Sequence, residues 1–545
     1  MTKMPTLPLR RTGALLALFA FALYFPALRY GFVKPDDHSY VVDNLQLRFL
    51  DRSLLQWSCT TLQNANWHPL TWLSLAADYA LWGPNPAAFH LHNIILHCLN
   101  IFLVLLLTHA VLTRSAATLP AETTLGRPRA AFAIAVVCAV IFGLHPLRVE
   151  SVAWVSQRKD VLCAFCYLLS LLAYLRYTTE AGDGTSERCY LCSLAFFCLS
   201  LGAKAMAVSL PLVLLLLDLY LPSRPSARRP RSAGRLLLEK VPFLPPALGA
   251  GFLALRAQAA GGASGSPSGV ALLPRTLNAL HAAFFYPWKT VFPTDLSPLY
   301  PFPGNLSPGD PELLVALLGA IALTLYCLKA LLSGNRAWLA LWAGYLVMLL
   351  PVLGLVQIGA QRAADRYSYL PSLVISLALS LWLAGLWEIL ARYSRPRGAV
   401  RLAAFAPVAA LVLCLSWSTR GQLQVWQDSL SVAQREVEVT PEGASLPYQH
   451  RGVAWLDRNE VEKAFWDCDR ALRVDPNCLK CLMCRAEANE RRADYPAAIA
   501  DYSAVLQLNP VYAEALCLRG EAYQAVGDQA RAEADVQLRW SVERH

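Results

Sequence analysis

Two adjacent carboxylates, Asp36 and Asp37, stand just after the first apolar stretch, in Phe32-Val33-Lys34-Pro35-Asp36-Asp37-His38-Ser39-Tyr40. At a membrane boundary a carboxylate is costly unless it is hydrated, paired or used. A neighbouring pair can divide labour, one member accepting a proton while the other orients it or holds a cation. The plainer alternative is a solvated helix end. Further polar strings follow: Trp67-His68-Pro69-Leu70-Thr71, then His145-Pro146-Leu147-Arg148-Val149-Glu150, running on to Gln157-Arg158-Lys159-Asp160, and Gln361-Arg362-Ala363-Ala364-Asp365-Arg366-Tyr367. Lys204 lies at a helix end ahead of Pro211 and Asp218. Taken singly, Glu150 near Arg148 and Asp160 beside Lys159 read as salt-bridged loop residues. Taken together, cationic side chains facing acids at an outer membrane surface suit an anionic lipid head group, because guanidinium forks pair phosphate oxygens two at a time.

Two other clusters invite a metal reading and do not sustain it. On a helix His90 and His92 do not share a face, and no Cys or acid near His97 completes a zinc set, so these read as helix-end polarity. Cys478, Cys481 and Cys484 form a C-x2-C-x2-C run that resembles an iron–sulfur spacing. The usual fourth ligand and following proline are absent, which leaves small buried residues or one disulfide of an exported compartment.

The elements that must position these residues are membrane helices. The chain has 545 residues, 56% hydrophobic and only 16% charged, where soluble domains carry about a quarter. An ordinary soluble enzyme, a disordered chain, a disulfide-stapled miniprotein and a one-pass anchored domain are all excluded. Apolar segments near 13–30, 90–113, 130–146, 161–177, 189–203, 206–221, 240–256, 312–332, 337–356, 369–391 and 402–418 give about eleven candidate spans of roughly 20 residues. The first, behind Lys3, Arg10 and Arg11, is long for a secretory signal and lacks a cleavage site, so it reads as a retained helix. His281–Phe292 is interrupted by Pro287, Trp288 and Lys289 and is expected to be re-entrant or interfacial.

The net charge of +10 comes from 48 Lys+Arg against 38 Asp+Glu. Nucleic acid is not the expected partner, because the cations sit in short loops between spans. Arg114, Arg127 and Arg129, then Arg176 and Arg188, then the run from Arg224 to Lys240, and finally Arg392 to Arg401 mark one face as cytoplasmic. The acidic pair and the polar strings then fall on the opposite face, as does the C-terminal part.

From about Ser445 the sequence repeats every 34 residues, the period of tetratricopeptide units. Gly452, Ala486 and Gly520 share one position, Ala464, Ala498 and Ala532 another, Pro476 and Pro510 a third. Trp455 and Tyr523 fill the large-residue position, and Asn489 is expected to weaken the middle unit. The organisation is therefore a membrane domain over 1–420, a linker over 421–444 and about three repeats over 445–545. Such an array serves as a groove for a peptide or partner protein, or as a cap on the membrane domain.

Five segments in register carry a family resemblance: the Asp36-Asp37 pair, Trp67 to Thr71, His145 through Glu150 and Trp154 to Arg158 and Asp160, the string Thr290 to Phe302, and Asp365-Arg366-Tyr367 before Leu370-Pro371. Together they resemble the transmembrane, tetratricopeptide-repeat-containing O-mannosyltransferases and their bacterial relatives. The resemblance implies an all-α, polytopic C-type glycosyltransferase architecture ending in an α-solenoid. It implies transfer of a sugar, mannose among the candidates, from a polyprenyl-phosphate donor to a protein or other exported acceptor, with inversion. Asp36 or Asp37 would be the general base, Arg158, Lys204 and Arg366 would hold the leaving phosphate, and Glu150 would orient the site. His68, His145, Asp160, Asp365 and Tyr367 complete the substrate and lipid-phosphate set. No resident metal is expected, while a divalent cation beside the acidic pair stays open. Two departures are Ala205, where relatives carry an acid after the lysine, and Asp365 in place of Glu. The expected setting is a bacterial inner membrane with periplasmic repeats, with an organelle lumen as the alternative. A non-catalytic scaffold recruiting partners through the repeats is the competing function. A transporter is disfavoured because the polar residues gather at the outer ends of the spans rather than at the midplane.

Overall fold

The computed structural model describes residues 7–34, 36–116, 128–179, 185–221, 232–260, 272–301, 309–354, 361–393, 397–440 and 443–543. The basic residues Arg127, Arg224, Arg228, Arg229, Arg231 and Arg395 and the end of the fifth motif segment at Phe302 lie outside them, as do the side chains of Arg392, Arg397 and Arg401. The regular elements are helices, apart from two short extended segments, Tyr300–Pro301 and Gln361–Ala363. The chain divides into two compact units, Met1–Leu296 with Phe302–Gln427, and Ser297–Pro301 with Asp428–His545.

In the first unit proline opens helix after helix, at Pro69, Pro86, Pro128 and Pro311, where its missing N–H has no partner to lose and its fixed φ already suits the turn. Among the described residues six helices are long and apolar enough to cross a membrane: Leu7–Arg29, Pro86–Ala116, Val155–Thr179, Ala233–Ala260, Pro311–Leu332 and Ser372–Ile389. The bent pair Arg129–Leu144 and Pro146–Ala153, with 56° between its halves, makes a seventh if counted as one span. The protein is thus an integral membrane protein, with six or seven of the eleven expected spans present at full length among the described residues. The remaining expected segments are helical as well. Ala205–Tyr220 and Ala337–Val352 are apolar but short, while Thr185–Ala203 and Arg397–Val425 are long helices outside the set of six.

Pro287 does not interrupt its segment. Leu272–Val291 is one helix with Pro287 inside it. A proline there deprives the carbonyl four residues earlier of its donor, and the Tyr345 hydroxyl supplies one, donating to the Ala283 carbonyl at 2.9 Å. Lys240, read from sequence as part of a cytoplasmic basic run, is buried. It donates to Asp218 at 2.6 Å and to the Tyr174 hydroxyl at 2.5 Å, so Asp218 belongs to that cluster and not with Lys204.

In the second unit six helices form three antiparallel pairs, Leu446–Asp457 with Val461–Val474, Leu479–Arg491 with Tyr495–Leu508, and Ala513–Ala525 with Gln529–Glu543. The close-approach positions are filled as the period requires: a Cβ on Gly452 would sit 2.5 Å from the Cys468 sulfur. Each repeat carries the same ion pair, Arg451–Asp467, Arg485–Asp501 and Arg519–Asp535, with two hydrogen bonds of 2.7 to 3.0 Å apiece. Asn489, expected to weaken the middle unit, has its amide joined to that unit's pair, donating to Asp501 at 3.3 Å. The cysteine run is divided between two disulfides, Cys468–Cys484 and Cys478–Cys481, rather than the single bond expected. The 421–444 segment is not an open linker. Leu423 and Trp426 are buried, and Asp428 caps a further helix, Ser429–Val439, by accepting from the Ser431 N–H at 2.8 Å.

Candidate active site

The N-terminal turn of helix Arg158–Thr179 organises the site. Successive helical residues point about 100° apart, and three charged neighbours here take three different partners. Arg158 turns toward helices Pro69–Trp82 and Pro86–Ala116. It donates to Asp78 at 2.7 Å, Ser74 at 2.9 Å, the Phe89 carbonyl at 2.9 Å and the Asn93 amide oxygen. Lys159 donates to the Tyr40 hydroxyl at 2.9 Å and lies 4.6 Å from that ring's centroid. Asp160 is ion-paired with Lys204 and accepts from the Ser151 hydroxyl at 3.3 Å.

A cavity of about 980 Å³ opens on this turn. Asp36, His68, Lys159, Lys204, Arg366 and Tyr367 line its polar end. Its apolar wall is a stripe along helix Leu244–Ala260, at Leu244, Ala247, Leu248, Gly251, Phe252 and Leu255, the i, i+3, i+4, i+7 spacing of a single helical face. Lys204 and Arg366 are each held by a buried acid. Lys204 is paired with Asp160, and Arg366 is paired with Glu150, which also accepts the Arg366 backbone N–H at 2.6 Å. The Arg366 guanidinium is sandwiched 5.4 Å from the Trp154 ring and 5.2 Å from the Tyr367 ring. Glu150 therefore orients Arg366 and does not pair with Arg148, since residues two apart on a helical turn face away from each other. By the same geometry Asp160 pairs with Lys204 and not with its neighbour Lys159.

The acidic pair separates. Asp36 lines the cavity, whereas Asp37 is fully buried and accepts the Val33 N–H at 2.9 Å and the Ser156 N–H at 2.7 Å. Burial pushes the Asp37 carboxyl up to about 7, against the opposing pull of those two N–H groups. Asp37 thus fastens the Asp36 segment to the turn before Arg158 and does not face the cavity. His68 faces it, but burial, reinforced by the Lys159 and Lys204 charges, holds the imidazole well below its usual range, so it is neutral at pH 7 and does not serve as a phosphate-binding cation.

Five other expected site residues stay off the cavity lining: Glu150 and Asp160 are paired with Arg366 and Lys204, and Arg158, His145 and Asp365 serve elsewhere. Arg158 is committed to Asp78. His145 caps a turn, accepting the Leu147 N–H at 3.2 Å and donating to the Thr290 carbonyl at 2.9 Å. Asp365 is buried beside Arg366, its carbonyl accepting from the Ser368 hydroxyl at 2.6 Å. The residue the sequence reading missed is Lys159. Helical phase separates the three side chains of Arg158-Lys159-Asp160, but nothing in the sequence told which partner each would meet. His92 and His97 build structure: His92 pairs with Asp78, and His97 bonds the Tyr369 hydroxyl at 2.7 Å and the Gly143 carbonyl at 3.0 Å. Among the described residues no group of three His, Cys, Asp or Glu side chains is arranged to hold a metal ion, and the divergence of Asp36 from Asp37 leaves one carboxylate, not two, at the cavity.

The comparisons with known proteins agree with this architecture. A tetratricopeptide-repeat family model matches residues 492–527. Human protein O-mannosyl-transferase TMTC1 is 25% identical over 513 residues, covering 85% of this chain and 55% of that protein. Mouse TMTC1 is 30% identical over 39% of this chain and 22% of its own length, and Drosophila melanogaster Tmtc1 is 30% identical over 29% and 17%. The chain spans little more than half the length of the human protein. Among solved structures, the archaeal oligosaccharyltransferase AglB from Archaeoglobus fulgidus, in complex with an inhibitory peptide and a dolichol-phosphate, aligns at a TM-score of 0.40 and 13% identity, over 83% of this chain and 59% of that one. That likeness is too slight to argue from. The five motif segments, the repeats that follow the membrane helices and these relatives make the chain similar to the transmembrane, tetratricopeptide-repeat-containing O-mannosyltransferases.

Proposed function

We propose that the protein is an inverting glycosyltransferase that moves a hexose from a polyprenyl-phosphate donor to the hydroxyl of a protein acceptor. The observation that carries this reading is the cavity itself: one carboxylate, Asp36, and three cations, Lys159, Lys204 and Arg366, line it, and an apolar stripe of helix Leu244–Ala260 forms another part of its wall. A phosphate diester bearing a long isoprenoid tail has the matching division of charge and grease. In the reaction the acceptor oxygen attacks the anomeric carbon while Asp36 takes its proton. The bond from that carbon to the phosphate oxygen breaks with its electron pair, and the polyprenyl phosphate departs. Charge grows on the phosphate as this happens, so fixed cations there lower the barrier, and attack from the far face inverts the anomeric centre.

Lys159 takes the place that the sequence reading gave to Arg158. Lys204 and Arg366 are each compensated by a buried acid, while Lys159 meets the neutral Tyr40 hydroxyl and has no ion pair among the described residues. The bare positive charge is available to an incoming anion. The two disulfides support placing the repeats in an oxidising compartment outside the cytoplasm. A bacterial periplasm is our reading of that compartment, with the site on the same side and the repeats presenting the acceptor.

The test is to incubate purified protein with polyprenyl-phosphate hexoses and follow release of the polyprenyl phosphate. Release by the wild type and its loss in Asp36→Asn are expected. Absence of both release and lipid binding in the wild type would sink the proposal and favour a scaffold.

A further inference from the structure

Two buried side chains on the cavity wall carry hydrogen-bonding atoms that meet nothing in the protein. His68 is 2% exposed and Gln157 1% exposed, both line the cavity, and neither His68 Nε2 nor the Gln157 amide oxygen has a hydrogen-bond partner. Folded proteins leave few such atoms, since each costs as much as a lost hydrogen bond. Two on one wall mark a place where a ligand completes the set. The chemistry on offer is neutral. The amide oxygen accepts from a hydroxyl, and an uncharged imidazole accepts or donates, whereas a phosphate would seek the cations at Lys159, Lys204 and Arg366.

The surroundings hold this wall rigid. The His68 ring stacks on Tyr40 at 5.5 Å with 7° between planes and lies 4.7 Å from Trp72. Trp67, also on the wall, is fixed by its indole N–H donating to the Cys59 carbonyl at 2.9 Å. The segment leading to it is held in left-handed backbone at two successive non-glycine residues, Asn64 at φ 54° and Ala65 at φ 56°. Such strain persists only where the surrounding structure enforces it, and it clusters at ligand sites.

We infer that His68, Gln157 and Trp67 form the subsite that reads the donor's sugar ring, with His68 and Gln157 bonding its hydroxyls and Trp67 packing on its C–H face. This rests on the transfer reading above and deepens it, for it divides the cavity into a cationic phosphate end and a neutral sugar wall. A site built around hydroxyl groups rejects analogues lacking them far more strongly than a greasy pocket rejects a missing methylene.

The experiment compares wild type, His68→Phe and Gln157→Leu for binding of polyprenyl phosphate with and without a hexose, and of the free methyl hexoside, by quenching of tryptophan fluorescence in detergent. His68→Phe keeps the aromatic stack, and Gln157→Leu leaves it untouched and decides the matter should the first variant lose its fold. Each variant is expected to bind the hexosyl lipid about tenfold or more weakly while binding the sugar-free phosphate as the wild type does. Undiminished hexosyl-lipid binding in a folded variant overturns the subsite and leaves the transfer reading standing, and so does an equal loss for both lipids. A wild type that binds neither lipid yet binds the hexoside through His68 and Gln157 keeps the subsite and overturns the donor. A wild type that binds none of the three overturns both.

Discussion

The two units use charge in opposite ways. In the repeats each Arg–Asp pair closes on itself, bidentate and recurring at a fixed interval, each arginine meeting its carboxylate with two N–H groups. In the membrane unit the pairs Arg158–Asp78, Lys204–Asp160 and Arg366–Glu150 are more deeply buried, and on the cavity wall beside them stand Lys159 and Asp36, which belong to no ion pair among the described residues. The lesson is that architecture balances its charges locally, while a site for a charged reactant keeps an imbalance at a cavity wall and shields it with balanced neighbours.

The comparison breaks most visibly at Asp36. Asp36→Asn should lower transfer by about 10²- to 10⁴-fold, the range of a lost general base, with membrane insertion and thermal stability unchanged. Similar activity in mutant and wild type would return Asp36 to the class of ordinary surface acids. Arg158→Met should do the reverse, because it breaks a buried ion pair and leaves Asp78 with His92 alone among the described residues, at a cost of up to about 3–5 kcal/mol. A lowered midpoint in thermal unfolding, at a rate per folded molecule closer to normal than that of Asp36→Asn, is the expected outcome. Lys159→Met should cut turnover by about 10²- to 10³-fold, as removal of a preorganised transition-state donor does, with folding intact. A variant that unfolds without a catalytic defect would move Lys159 to the structural side.

Two smaller effects sharpen the contrast. Asp37 is pushed up to about 7 from an unfolded value near 3.8, so the native state holds its proton more tightly than the unfolded chain does. Its contribution is complete below about pH 4 and is lost as the pH rises through about 7. Asp37→Asn should flatten stability across that window in denaturant titrations. In the repeats, Asp501→Ala should cost about 1–3 kcal/mol, since Arg485 keeps its second partner Asp469 at 2.8 Å, and lipid binding by the membrane unit should be unaffected.

The sequence carried the organisation well and the side-chain assignments unevenly. The 34-residue period predicted six repeat helices, because small residues at 452, 464, 486, 498, 520 and 532 admit few other packings. The same period also displayed Arg451, Arg485 and Arg519 against Asp467, Asp501 and Asp535, a ladder visible in the letters once the helices are paired. Composition found the apolar segments but not their lengths, since among the described residues hydrophobic helices such as Ala205–Tyr220 stop short of the length a bilayer needs. At the site, adjacency misled. Asp36 and Asp37 read as a matched pair, and Arg158 as the natural phosphate clamp, because a string of letters does not show which way each side chain turns. Asp78, which claims Arg158, lies 80 residues away in sequence and had no feature to single it out.

The turn at Arg158-Lys159-Asp160 also sets what change the chain can absorb. Along most of that helix one apolar residue can replace another, and the cost is a matter of volume. A single deletion between Trp154 and Arg158 would instead rotate the helix by about 100° and pass each role to the wrong neighbour. Asp78 would lose its arginine, Lys204 its acid, and the cavity its bare charge, all at once and with no residue type altered. In this stretch the phase of the helix carries information of its own, separate from composition, and three chemical functions depend on a count of residues.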